Sequence, residues 1–460
     1  MEKNDTIAAI ATGLSPAGIG IIRISGSQAF NIAEEIFKGK NGKSKSVSSY
    51  PTHTVHYGFI HDGNELIDEV MLLIMRSPKS YTTENTVELQ CHGGVFSLKR
   101  VLKTVLKHGA RLAEPGEFTK RAFLNGRIDL SQSEAVMDFI SSENEFARKN
   151  SLFALKGALS EKIEALREKI VHESAWIESA IDDPEHYSLE NYSENLENKL
   201  TGFMEEIDAL YRSFETGKIM QEGIKVSIVG RPNTGKSSLF NALTGVEDAI
   251  VTDIPGTTRD LITTRVSYQG ITLNFTDTAG IHDTKDPVET IGIARSKKAL
   301  DEADLVLFVT DASEDLEKED MELADMLSGK RTILVLNKID IEQKVKEEAF
   351  EEHIFSGSVP VSAKTGEGIN ALLELIFLLF IGGTLPKGEE IVITRERQAG
   401  ALLRANESLG QVKKSIELKM TEDFFTSDLM DAYRALGEII GVETGDDLAD
   451  TIFRDFCMGK

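Results

Sequence analysis

The sequence is short of the residues that mark several protein classes. It has two cysteines in 460 residues, Cys91 and Cys457. A pair so far apart is no disulfide framework, and it fits a reducing cytoplasm. Long apolar runs are missing as well. The greasiest stretch, ALLELIFLLFIGG (371–383), contains Glu374. It falls short of the ~20 residues needed to span a bilayer and reads as a buried helix, so no membrane partner is expected. The N-terminus, MEKNDTIAAIATGLSP, has acids among its first residues and Gly and Pro soon after. That is unlike a signal peptide. Positive charge is scarce: 51 Lys+Arg stand against 75 Asp+Glu, a net charge of -24. Such a chain does not coat nucleic acid by itself, because each phosphate contact needs a cation. The deficit is uneven, however. Residues 1–127 hold 16 Lys+Arg against 12 Asp+Glu. A polyanion contact therefore belongs to the N-terminal part, or to a surface shared with a partner.

What is present falls into textures. The chain is too long for one ordinary core, and about three domains are expected. Over 1–120, short apolar runs (GIGIIRIS, TVHYGFI, EVMLLIM, NTVELQCHGG) read as strands. VFSLKRVLKTVLKHG reads as an amphipathic helix. This is an α+β or α/β domain. From 121 to 220 the periods are helical and the faces charged, and Ser131-Gln132-Ser133-Glu134 has capping-box spacing. From 221 to 382 buried strands alternate with helices, the pattern of a doubly wound parallel sheet. Residues 383–460 are helical again. Two amphipathic segments flanking an α/β domain imply one discontinuous helical domain with the α/β domain inserted into it.

The α/β segment carries four motifs in order. Gly230-Arg231-Pro232-Asn233-Thr234-Gly235-Lys236-Ser237 fits G-x-x-x-x-G-K-[ST], after a strand and before a helix. Backbone N–H groups at Asn233, Thr234, Gly235, Ser237 and Ser238 would wrap phosphates. Lys236 would neutralise their β/γ oxygens, and Ser237 would ligate Mg²⁺. Asp277-Thr278-Ala279-Gly280 ends the next main strand. There Asp277 would hold Mg²⁺ through water, and the Gly280 N–H would sense the γ-phosphate. Asn337-Lys338-Ile339-Asp340 places a carboxylate where guanine offers two N–H donors and adenine does not. Ser362-Ala363-Lys364 completes the base pocket. The expected nucleotide is GTP. In the stretch Thr252–Asp260 a threonine, Thr258, would complete Mg²⁺ coordination when GTP is bound. One residue is unexpected. Ile281 follows D-x-x-G where Ras-type GTPases carry the glutamine that orients water. Either the chain does not hydrolyse GTP, or the catalytic group comes from elsewhere.

The T-D-x-x-G-T-T-R-D form and the GRPNxGKS loop resemble the TrmE–Era–EngA side of the GTPases. The flanks narrow this. PGEFTKRAFLNGRIDL (115–130), the ending Cys457-Met458-Gly459-Lys460, DTIAAIAT with GIGIIRISG, and ELQCHGG resemble the MnmE (TrmE) family of tRNA-modification GTPases, over essentially the whole chain. The resemblance implies a folate-binding N-terminal domain that dimerises, a helical domain and an inserted Ras-like P-loop GTPase domain. It implies an FAD-dependent partner of MnmG (GidA) type, in a heterotetramer or larger complex. Together they would install aminomethyl or carboxymethylaminomethyl groups on C5 of the wobble uridine of tRNA. The one-carbon unit would come from a tetrahydrofolate, 5-formyl or 5,10-methylene. It implies K⁺ held by Asn233, Thr252, Ile254 and Thr257, with Thr252, Thr257 and Thr258 near GTP, and Glu289 as the catalytic glutamate. It implies Arg23, Glu88, Arg127 and Lys460 around the folate. Arg127 stands where the family often has Lys, and Met458 where it has Ile or Leu. Cys457 is either a reactive thiol or a small apolar residue packing the tail, and His92 is either catalytic or structural. A GTP-switched RNA or ribosome assembly factor without modifying chemistry is the alternative.

Overall fold

The computed structural model describes residues 5–40, 46–189, 192–245, 251–252, 263–276, 300–345, 347–350, 353–382, 391–442, 452–453, 456 and 459. They divide into two compact units. One comprises 1–137, 154–200 and 407–460, the other 138–153 and 201–406.

The first unit is built on a seven-stranded sheet of order β3-β4-β5-β6-β2-β1-β7. Its strands are β1 (Ile7–Ile10), β2 (Ile19–Ser25), β3 (Phe37–Gly39), β4 (Thr54–Asp62), β5 (Glu65–Met75), β6 (Thr86–His92) and β7 (Arg111–Leu112). All pairings are antiparallel except β1 with β7. Strand β5 shows why one face is covered: Val70, Leu72 and Ile74 are buried while Met71 is exposed, the period of two that a pleat requires. Helices α1 (Ala29–Ile36) and α2 (Val95–Lys107) cover the apolar face. The expected amphipathic helix is α2. Its Leu98, Val101 and Val105 pack into the core beside Ile22, Ile24 and Leu89, and burying each contributes about 1.5–3 kcal/mol. Cys91 lies in the same core. Burial pushes its thiol up to about 12, which leaves it unreactive.

Helix α3 (Glu117–Leu124) carries the PGEFTKRAF stretch. Glu117 is fully buried and meets Arg111 at 2.6 Å and Arg121 at 2.9 Å. Burial alone would raise its carboxyl, but the arginines hold it below the ordinary value. Much of that stretch therefore ties helix to sheet. Helices α4 (Leu130–Ile140), α5 (Glu145–Leu155), α6 (Ala158–Asp182) and α7 (Tyr192–Glu222) follow. The cap of α4 differs from the expected Ser131–Glu134 box. Asp129 Oδ1 accepts from the Gln132 N–H at 2.8 Å, and Gln132 Oε1 accepts from the Asp129 N–H at 2.9 Å. The reciprocal pair sits two residues earlier because the chain turns helical at Leu130, which is fully buried.

The second unit holds a sheet of order β14-β13-β12-β8-β11-β10-β9. Its strands are β8 (Ile224–Val229), β9 (Val251–Thr252), β10 (Thr263–Tyr268), β11 (Ile271–Thr276), β12 (Leu305–Asp311), β13 (Thr332–Asn337) and β14 (Gly357–Pro360). Five run parallel; β10 and β9 are antiparallel additions at one edge. Both β12 and β13 are buried along their length, as expected where helices cover both faces. Helices α8 (Lys236–Thr244), α9 (Lys318–Met326) and α10 (Ile369–Ile381) belong here. The greasy run is α10, which buries Leu372, Leu373 and Ile376 against the sheet. This is the Ras-like P-loop arrangement, and ligands of such sheets sit beyond the carboxyl ends of the parallel strands. Helices α11 (Glu396–Glu417) and α12 (Asp423–Ile440) follow, and Arg167 of α6 lies 4.0 Å over the Tyr433 ring of α12. Among the described residues no helix is long and apolar enough to cross a membrane.

Candidate functional site

A cleft of about 600 Å³ opens where the parallel sheet predicts it. Its lining includes Gly235, Ser238, Asn337, Lys338, Asp340, Ala363 and Lys364. Three motifs separated by up to about 130 residues thus meet at one place. The loop after β8 is held in strained backbone. Asn233 has φ 66°, and Gly235 has φ 93°. A Cβ on Gly235 would lie 2.2 Å from Asn337 Nδ2, so only glycine fits there. Lys236 Nζ donates to the Gly230 carbonyl at 2.8 Å and to Arg231 O at 2.5 Å. Burial pushes its ammonium below the ordinary value. A desolvated cation bonded only to carbonyls is poised to exchange them for phosphate oxygens. Ser237 and Ser238 are exposed at the start of α8.

Asn337 does more than sequence reading assigned to it. It is buried, with Nδ2 donating to Thr234 O at 2.8 Å and Oδ1 accepting from the Ala363 N–H at 3.1 Å. One side chain clamps the phosphate loop to the Ser-Ala-Lys loop. Asp340 Oδ1 accepts from the Ser362 hydroxyl at 2.8 Å, which orients the carboxylate expected to read guanine. Lys338 has φ 66° and its ammonium meets Asp311. Burial would raise the Asp311 carboxyl, but Lys338 and Ser313 hold it below the ordinary value. Sequence reading missed Asp311, as well as the lining residues Asn241 and Ile341. The only available signal was the end of strand β12, one strand over from Asn337.

A second cluster lies in the first unit. Arg23 and Glu88 face each other across β2 and β6, with Arg23 Nε 2.8 Å from Glu88 Oε1. The Arg23 guanidinium lies 5.5 Å from the centres of both the Tyr81 and Phe118 rings. Arg127 lies 4.9 Å over Tyr81 and donates to its carbonyl at 3.2 Å. Two arginines named from the sequence thus flank an aromatic that was not named, and Glu88 joins them through Arg23. Burial pushes the Tyr81 phenol up, against the opposing pull of Thr119 and the two arginines. Gly459, with φ 90°, seats the tail against β1: a Cβ there would lie 2.3 Å from Ile10 O. Ile10 faces Ile22, the neighbour of Arg23.

His92 ends β6. Its Nδ1 bonds to Asp68 Oδ1 at 2.7 Å while the ring stays exposed, and the contact raises its pKa above the ordinary value. Ile254, Thr257, Thr258, Asp277, Thr278, Ala279, Gly280, Glu289, Cys457 and Lys460 lie outside the described residues. For Thr252 the strand pairing opposite Arg265 is described.

Known proteins resemble the chain over its full length. A model of the GTP-binding protein TrmE N-terminus matches residues 6–127, and a model of the MnmE helical domain matches 130–457. The tRNA modification GTPase MnmE of Lachnoclostridium phytofermentans is 50% identical over 458 residues, covering 100% of each chain. That of Clostridioides difficile is 45% identical over 461 residues, again covering 100% of each.

Proposed function

The chain belongs to the MnmE (TrmE) family of tRNA modification GTPases, and from that premise we propose that it works as a K⁺-dependent GTP hydrolase in wobble-uridine modification. In this reading it acts in the cytoplasm with an FAD-dependent partner of MnmG type. The pair adds an aminomethyl or carboxymethylaminomethyl group to C5 of the wobble uridine, taking the one-carbon unit from a tetrahydrofolate. The observation that carries the reading is that the same chain holds both a guanine-type cleft and the Arg23–Glu88–Tyr81–Arg127 cluster. A GTP-switched assembly factor needs only the first.

The second cluster fits a folate chemically. A pterin offers N–H donors to the Glu88 carboxylate and a flat ring to Tyr81. A glutamate tail offers carboxylates to Arg127 and Lys460. In the cleft, Lys236 and the loop N–H groups would hold the phosphates and Ser237 the Mg²⁺ ion. Asn233 is exposed, which suits a ligand for K⁺. Once bound, K⁺ supplies the charge stabilisation that an arginine finger supplies elsewhere. Ile281 cannot orient water, so Glu289 is assigned that task. Dimerisation has its own support: the outer face of the first sheet leaves Ile19, Val55, Tyr57 and Met71 exposed.

Four measurements test the reading. Formyl-tetrahydrofolate should bind the full chain in equilibrium dialysis, and no binding would revive the assembly-factor alternative. Hydrolysis should be faster in K⁺ than in Na⁺, with the difference lost in Asn233→Ala. Glu289→Ala should cut turnover while leaving GTP affinity nearly intact; full activity in that variant would remove the assignment. For the dimer, Tyr57→Asp with Met71→Lys should give a monomer on light scattering.

A further inference from the structure

The outer stripe of α2 has no role in the site just described. Residues 95–112 carry five Lys+Arg and no Asp or Glu. Within an acidic chain this is a local inversion of charge. Phe96, Lys99 and Lys103 are three and seven residues apart, so they share one face of the helix. Opposite them, Leu98, Val101 and Val105 are buried in the core. Phe96 is 85% exposed, so its ring is open to a stacking partner. Arg100 and Lys107 on the same helix are compensated: Arg100 meets Glu65 at 2.5 Å and Lys107 meets Asp62 at 2.6 Å. Lys99 and Lys103 have no acidic partner among the described residues. Their aliphatic stems and the phenyl ring leave two ammonium groups free beside one stackable aromatic.

We propose that the Phe96–Lys99–Lys103 face of α2 is a contact surface for the phosphate backbone and an unstacked base of an RNA. The inference rests on the tRNA-modification reading above and names where the substrate touches this chain. Three observations favour RNA over other anionic surfaces. The chain as a whole is acidic, and among the described helices α2 carries the largest excess of cations, so a phosphate backbone is drawn there. Two uncompensated lysines beside an exposed aromatic are the pairing that single-stranded nucleic acid uses, charge for phosphate and ring for base. A membrane contact needs a wide apolar face, and on this helix the aliphatic side is spent on the core.

The test is tRNA binding to the full chain, followed by fluorescence anisotropy across a KCl series. Unmodified tRNA is the probe. Lys99→Ala with Lys103→Ala should weaken binding and lower the log–log salt slope by about 1.4–1.8, the contribution of two phosphate contacts. Phe96→Ala should weaken binding by about fivefold or more, with little change in slope. Lys318→Ala, at an exposed lysine of the other unit, should change neither. GTP hydrolysis should be unaffected in all of them, and circular dichroism checks that α2 remains folded. No tRNA binding by the parent chain, or parent-like affinity and slope in the triple variant, would overturn the proposal. Loss of binding to phosphatidylserine vesicles without loss of tRNA binding would assign the face to membranes and also overturn it. The underlying reading fails separately. Wobble uridines unchanged in a deletion strain would sink it, whatever α2 binds.

Discussion

The two candidate clusters are assembled by opposite means. The nucleotide cleft belongs to a parallel sheet, in which every strand delivers its motif to the same edge. Gly235 and Ala363 follow strand ends and Asn337 closes a strand, and they meet because the strands run together. The second cluster belongs to an antiparallel sheet. Arg23 and Glu88 meet only because the register of β2 on β6 places them opposite each other, 65 residues apart. Parallel topology writes a site as contiguous motifs. Antiparallel topology writes it as single residues whose partners the register chooses.

That contrast can be broken from either side. The largest effect is expected at the clamp. Asn337→Ala leaves the Thr234 carbonyl and the Ala363 N–H without their partner, each worth about 1–3 kcal/mol when buried. GTP affinity by calorimetry should drop at least a hundredfold with folate binding unchanged. Affinity within fivefold of the parent would show that the two loops hold themselves. Asp340→Asn comes next. It should weaken GTP binding by roughly 2 kcal/mol and favour xanthine nucleotides, whose extra carbonyl accepts from an amide. A retained guanine preference would remove Asp340 from the base pocket.

On the antiparallel side, Glu88→Gln should lower formyl-tetrahydrofolate affinity by about 1–2 kcal/mol, because a charged acceptor becomes neutral beside Arg23. GTP turnover should not change. If both activities fall together, the clusters are not independent. The smallest effect concerns His92. Asp68 favours its imidazolium, so its titration midpoint by NMR should lie above the ordinary 6.5 and fall in Asp68→Asn. A raised folded-state value means that the pair's contribution is present at low pH and lost as pH rises through that midpoint. An unchanged midpoint in the variant would mean that the contact is not made in solution.

The sequence alone determined the order of textures, the doubly wound segment, the amphipathic α2 and the greasy α10, because burial periodicity is a local property. It also determined the phosphate loop and the N-K-x-D pocket, since each motif is contiguous and needs only the right flanking elements. The tertiary structure decided what depends on meetings between distant residues. It gave Asn337 a clamp between two loops, brought Asp311 to Lys338, placed Tyr81 beside Arg23 and Arg127, and moved the α4 cap to Asp129. None of these follows from spacing along the chain. Hydrogen bonds and ion pairs fall off within a few ångströms, and only the packed sheets say which side chains come that close.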